Sequence, residues 1–350
     1  MPVDIVQKLK DVADDKRNIS AIKDVVKEEL FTDELSKHFT VVPNIKGKKQ
    51  IVVARPFKHV ISKEEGCNNS FITVSNDFIK QEWDPREVRV GIKMCYKEIA
   101  ESFEQWMWKN GYEAKDLSNT DYLDFIAEFV KKAVARDIYS LVLFGNENID
   151  ANVLTDENFV PFYNLIDKGL VPTLQYFKTI PAFSKNFLSI DKNTGADYNA
   201  QNDLGESYAK DLFFKLVQQA YNVPENATLL SSDSLFMNYA NMFTTKELES
   251  ERQNIKNGVS TLGVWGKRLE SVKTYDITRF EDFNNGTKLH IPHFALFAEK
   301  SNLQLGLDKE SSLQDLVFEY VGGEDESFYI KGRMMLDFKV PNPTALKAAF

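Results

Sequence analysis

Apolar residues recur along this chain with two periods, and the switch between them marks out its organisation. Over 3–37, Ile19, Ile22, Val26 and Leu30 fall at helical spacing, with Lys23, Asp24, Lys27 and Glu28 on the opposite side. Ser20 is placed to cap the second of one or two charged helices. So narrow a stripe docks either on its own subunit or on another copy. From Phe39 to about Tyr96 the pattern turns to strands: 39–42, 51–53 and 71–74 are β-rich runs separated by turns at 44–49 and 64–69. Val88, Val90, Ile92 and Met94 then alternate with Glu87, Arg89, Gly91 and Lys93, the period of a half-exposed strand. With few large apolar clusters, the whole of 39–96 predicts a projecting hairpin, a unit that is marginal alone and gains stability on another surface.

Helical spacing returns at 98–109, an aromatic-rich stretch carrying Phe103, Trp106 and Trp108 and ended by Gly111. The strongest helical signal covers 121–144, where Leu123, Ile126, Phe129, Val130, Ala133, Val134, Ile138 and Leu141 form a wide stripe. Ser118, Asn119 and Thr120 offer capping oxygens, Asp121 and Asp124 suit the positive end of the macrodipole, and Gly145-Asn146 is the stop. At ~1.5 Å per residue this is a spine of about 36 Å. Residues 150–205 read as irregular, followed by a helix over 204–221, a short strand over 227–230 and a helix over 233–243. A polar stretch at 247–257, a strand-like segment at 262–275 and strands over 290–297, 313–320 and 327–340 complete an α+β chain without repeats.

Composition narrows the function. Hydrophobic residues at 43% and charged residues at 27% exclude wholesale disorder. A net charge of −9 argues against a surface that coats nucleic acid, although a local basic patch stays open. Two cysteines, Cys67 and Cys95, support neither a disulfide scaffold nor a cysteine zinc site. The first residues carry no apolar core of a signal peptide, and no stretch approaches 18 uninterrupted apolar residues. A soluble cytosolic product with no membrane partner is expected.

Candidate chemistry is sparse. Gly258 and Gly263 have the spacing of a phosphate loop, but Val264 and Trp265 stand where Lys and Ser or Thr would hold phosphate and magnesium. His290 and His293 flank Pro292, which blocks the helix that paired ligands would need, so a turn is the better reading. Asp191 and Asn193 match the first and third ligand positions of a calcium loop, but its sixth-position glycine and closing glutamate are missing. Glu247, Glu249 and Glu251 read as an exposed face. No catalytic residue, cofactor site or metal site is expected, and the protein is read as a non-enzyme. Lys46, Lys48 and Lys49 form the compact basic cluster, either a solubilising turn or a contact for an acidic neighbour such as another copy.

The order of elements carries the signal. A charged arm, a long hairpin, a spine helix ending Leu143-Phe144-Gly145-Asn146, a helix-strand-helix unit over 210–243, the segment Trp265-Gly266-Lys267-Arg268-Leu269 and a closing strand over 329–340 before Pro341 and Pro343 follow one another. This order resembles the major capsid proteins of tailed bacteriophages with the Hong Kong 97-like fold, colinearly over about 39–350, and Glu82-Trp83-Asp84-Pro85 is similar to capsid proteins of Bacteroidetes phages. The resemblance implies an N-terminal arm at 1–38, an E-loop hairpin at 39–96 and a P-domain at 97–170 containing the spine. It further implies an A-domain at 171–260, with 261–350 completing the A-domain and returning to the P-domain.

It implies a shell protein that self-assembles through hexamers and pentamers into an icosahedral head. That head encloses double-stranded DNA without reading its sequence, and it forms in the bacterial cytoplasm. Lys46, Lys48, Lys49, Arg55 and Trp83 are the implied inter-subunit contacts. Portal, scaffolding and cement proteins are the further partners, with scaffolding expected from a separate protein or none, because only about 38 residues precede the hairpin. The rival readings are an encapsulin-like compartment around protein cargo and a cytosolic enzyme or binding protein built around the aromatic stretch at 98–112.

Overall fold

A computed structural model describes residues 34–54, 78–95, 133–243, 261–308, 314–321 and 327–350. The expectations for the arm before residue 34, the run at 71–74, the aromatic helix at 98–109, the first half of the spine and the polar stretch at 247–257 lie outside the described residues. Two sheets organise the rest. The first has five strands: β1 (Thr40–Val42), β4 (Arg86–Cys95), β10 (Gln304–Leu307), β11 (Gln314–Val321) and β12 (Ser327–Lys339). β12 is its axis. Antiparallel β4 runs beside it from Ser327↔Cys95 to Leu336↔Arg86, while β11 and then β10 follow its other edge, and β1 adds to β10 in parallel.

The second sheet has six strands in the order β5 (Phe187–Leu188), β13 (Leu346–Ala349), β9 (Ala295–Ala298), β6 (Thr228–Ser231), β8 (Lys267–Ser271), β7 (Thr261–Val264). Its central strands are buried on both faces, and two hydrophobic clusters meet across it. On β9, Leu296 and Ala298 join one cluster, and Ala295 and Phe297 join the other. The first cluster also takes the buried face of the helix at 133–144 (α2) and the inner residues of the five-stranded sheet. The second is closed by α6 (Tyr208–Gln218) and α7 (Asp233–Ala240). The short helices α1 (Glu34–His38), α3 (Val160–Tyr163) and α5 (Tyr198–Asn202), and the longer α4 (Leu170–Thr179) and α8 (Lys273–Asp282), pack around this frame.

α2 ends where the glycine stop was expected, and packing explains why. The Gly145 N–H bonds the Leu141 carbonyl, and the Gly169 N–H bonds the Gly145 carbonyl at 2.6 Å. A Cβ on Gly145 would meet the Ile166 side chain at 2.4 Å, and one on Gly169 would meet two main-chain carbonyls at 2.7 Å. Two backbones cross here with no room for side chains.

Several expectations are corrected. The span 39–96 is not one hairpin: among its described residues β2 (Lys49–Ala54) and β3 (Phe78–Trp83) form a separate two-stranded sheet, whereas β1 and β4 belong to the five-stranded sheet. The irregular stretch at 150–205 contains α4, and the strand-like segment ending near Tyr275 runs into α8. The strand expected from His290 begins at Ala295, because Ile291 sits at φ 49° and Pro292 has no N–H to give a ladder. After β12 the chain does not stay beside the five-stranded sheet; it enters the six-stranded one as β13, between β5 and β9.

Candidate inter-subunit surface

The β2–β3 hairpin is held at its base and carries no further strand beyond it among the described residues. Its root is set by Asn44, whose φ of 64° suits a residue tolerant of the left-handed region, and by buried Ile45, whose N–H bonds the Leu307 carbonyl at 2.7 Å. With Ile45 pinned, Lys46, Lys48 and Lys49 are turned to solvent. Lys48 Nζ lies 3.7 Å from the Asp84 carboxylate in an exposed pair, which contributes little to stability and leaves the cluster cationic.

Trp83 behaves differently from its expected role. It is 3% exposed and lies over Gly306 of β10, where a Cβ would meet the indole at 2.6 Å. Its place is inside the subunit, because the missing Gly306 side chain makes a slot for its ring; it is an anchor of the hairpin rather than a surface contact. Arg55 lies outside the described residues. The clamp has further parts that sequence patterns did not mark. The Asp84 N–H donates to Asp337 Oδ2 at 2.7 Å, Gln81 donates to the Val340 carbonyl at 2.6 Å, and Arg86 pairs with Glu147. Above the clamp, half of Val52 is exposed, and the outer edges of β2 and β3 pair with no further strand among the described residues.

A second exposed feature lies at the far edge of the six-stranded sheet. Strands β7 and β8 are joined by Trp265 at φ 49° and Gly266 at φ 72°, the two consecutive positive values that a tight hairpin turn demands. The Trp265 ring is half exposed and packs on Phe214 of α6 at 4.9 Å between centroids. The Trp-Gly segment singled out in the sequence is therefore a turn that displays an indole.

The titratable groups act as structural ties. His38 of α1 reaches Tyr139 Oη of α2 at 2.7 Å and Glu270 Oε2 of β8 at 3.2 Å, all three largely buried. Burial pushes the Glu270 carboxyl up, but His38 and Arg268, 2.5 Å away, outweigh it and hold the group below its ordinary value. His293 is fully buried and satisfied by Ser234 at 2.7 Å and the Gln201 carbonyl at 2.8 Å. Burial and the nearby Arg279 charge lower His290 to about 4, which keeps it neutral. Asp191 accepts from Tyr208 in a short 3₁₀ turn, and no group of three ligating side chains forms among the described residues. Among those residues no helix is long and apolar enough to cross a membrane.

No protein-family model and no curated protein matches the sequence. Solved structures do match. A chain of the satellite phage P4 procapsid, in a structure that includes the size determination (Sid) protein, superposes with a TM-score of 0.55 at 10% identity, over 95% of this chain and 90% of that one. The fold is that of a phage capsid protein. A structure of Mycobacterium phage Ogopogo gives a TM-score of 0.51 at 13% identity over 91% of both chains. At such identities the capsid fold is common to the chains while the side chains that decorate it are not.

Proposed function

We propose that this chain is the major shell protein of a tailed-phage or prophage head. The observation that carries the reading is the end-to-end match to the P4 procapsid chain, which spans nearly all of both molecules rather than one shared motif. A Hong Kong 97-like layout assigns β2–β3 to the E-loop, α2 with the five-stranded sheet to the P-domain, and the six-stranded sheet with α6 and α7 to the A-domain. On this reading the open edges of β2–β3 and the displayed Trp265 are covered by other copies in hexamers and pentamers. Many weak contacts then act together, because each one closed raises the effective concentration of the next.

Lys46, Lys48 and Lys49 are the proposed contacts for an acidic patch on the neighbouring copy, and the chain's charge of −9 supplies such patches. A net-negative subunit also leaves double-stranded DNA free inside the head, held without sequence-specific contacts. Portal, scaffolding and cement proteins complete the proposed assembly, which forms in the host cytoplasm and ends as the virion capsid. Sedimentation velocity on the full-length protein, followed by negative-stain imaging of any fast fraction, tests this. Rings or closed particles support it. A protein that stays monomeric even when co-expressed with the genes beside its own refutes it.

A further inference from the structure

A small pocket beside the last strand has a chemistry that neither the fold nor its assembly calls for. It encloses 310 Å³ between the loop after α6 and the start of β13, and its wall includes Lys185, Asn186, Tyr221, Asn222, Thr344 and Lys347. No carboxylate of the described residues lines it. Lys347 is only 4% exposed although it sits in the middle of a strand whose neighbours, Leu346 and Ala348, are core residues. Its ammonium donates to the Lys185 carbonyl at 2.7 Å and forms no ion pair among the described residues. An ammonium has three donors and one is used here. A buried charge with a single neutral acceptor is costly to maintain, and a fold that served packing alone would place an apolar residue at this position. Burial accordingly lowers the Lys347 pKa. At the rim stands Tyr221, 90% exposed, next to Asn222, whose amide has no partner among the described residues.

We infer that this pocket binds a small oxyanion, a phosphate or a carboxylate, on the Lys347 ammonium. Lys185 adds positive charge and the Asn222 amide adds donors around it. The volume is at the small end of ligand pockets, enough for one oxyanion group with part of its hydration or its attached carbon chain. The anion comes either free from solution or as a carboxylate side chain of a neighbouring copy. The second source rests on the shell reading; the first does not.

Titration calorimetry of the full chain with sodium phosphate, at ionic strength fixed with sodium chloride, is the direct test. Saturable binding is expected, and Lys347→Met should weaken it by about tenfold, the loss of one charge-assisted hydrogen bond. Asn222→Ala, an exposed position that cannot disturb the core, should weaken it by a few fold and serves if the first variant does not fold. Binding that persists in assembled particles identifies the free anion. Binding lost on assembly, together with a reduced assembled fraction for Lys347→Met, identifies a neighbour's carboxylate. Equal affinity in wild type and both variants, or no saturable binding at all, overturns the site.

Discussion

The contact between Trp83 and Gly306 makes a quantitative test of how the hairpin is held. The indole is buried, and the nearest ring atoms would lie 2.6 Å and 2.9 Å from a Cβ at position 306, well inside contact distance. An indole on a strand has no flexible end to move aside, so Gly306→Ala forces either the ring or β10 to shift, at a cost of about 1–3 kcal/mol for overpacking. Trp83→Ala removes the ring and leaves a cavity, for about 3–5 kcal/mol. In the double variant the new methyl enters the vacated space, and the alanine at 306 should then cost about nothing. The expected coupling is therefore favourable by about 1–3 kcal/mol, well above the scatter for independent sites. Urea unfolding followed by far-ultraviolet circular dichroism measures all four proteins without relying on the fluorescence of the residue being removed. If Gly306→Ala costs the same with and without Trp83, the indole is not what excludes a side chain there and the anchoring argument fails.

Other outcomes follow from the same geometry. Replacing 53–79 by Asn-Gly would join Val52 to Lys80, which face each other across β2–β3, and should leave a folded monomer that no longer assembles; particles from this variant would exclude the hairpin from the interface. Gly169→Ala brings its Cβ against main-chain carbonyls that cannot swing away, so a loss of about 2–3 kcal/mol is expected in urea unfolding, and a near-neutral result would show that the α2 terminus can relax. Asp276 is raised to about 7 by burial, with the Asp233 carboxylate adding to it. The folded state therefore holds a proton between pH 3.8 and about 7 that the unfolded chain has lost, and stability falls as pH rises through that window. Asp276→Asn keeps an acceptor for the Asp233 N–H, so it should be more stable than wild type by about 2–4 kcal/mol above pH 7, with the difference gone near pH 4 in thermal scans. Glu270 has the opposite sign: its depressed pKa contributes stability above 4.5 that is lost as pH falls through the folded value, and Glu270→Gln should remove that acid dependence.

Much of this was legible in the chain itself where local pattern and tertiary role agree. β4 showed its alternation because one of its faces stays wet, and the end of α2 showed its glycine because two backbones meet there. The elements that were missed are those whose local preference is overruled. α8 contains Thr274, Tyr275, Ile277, Thr278 and Phe280, residues that favour strands, yet Tyr275, Thr278 and Arg279 fall on one buried helical face. β13 reads Leu-Lys-Ala-Ala, which suits a helix; it is a strand because β5 and β9 supply its ladder on both sides. Trp83 was misread for a related reason. An aromatic residue at a hairpin's end looks like a contact until the slot over Gly306, more than two hundred positions away, is seen. The Lys347 pocket had no local signal either, since nothing in an isolated Leu-Lys-Ala-Ala distinguishes a buried ammonium from an exposed one.

The clamp at the hairpin base also bears on how a strain applied to the hairpin would travel. Asp337 accepts from the Asp84 N–H and from Lys339, whose ammonium lies 3.2 Å from Asp337 and 3.8 Å from Asp167. The Asp167 carbonyl in turn receives the Glu147 N–H, and Glu147 pairs with Arg86 at the start of β4. The hairpin base is thus closed by a ring of polar contacts onto the crossing of Gly145 and Gly169, where neither backbone has room to yield. A neighbour that grips β2–β3 therefore pulls on the end of α2 and on β12 together, not on a free loop. The elements that are rigid by packing are those joined to the hairpin, which is the arrangement a subunit needs if contacts made at its periphery are to set the orientation of its body.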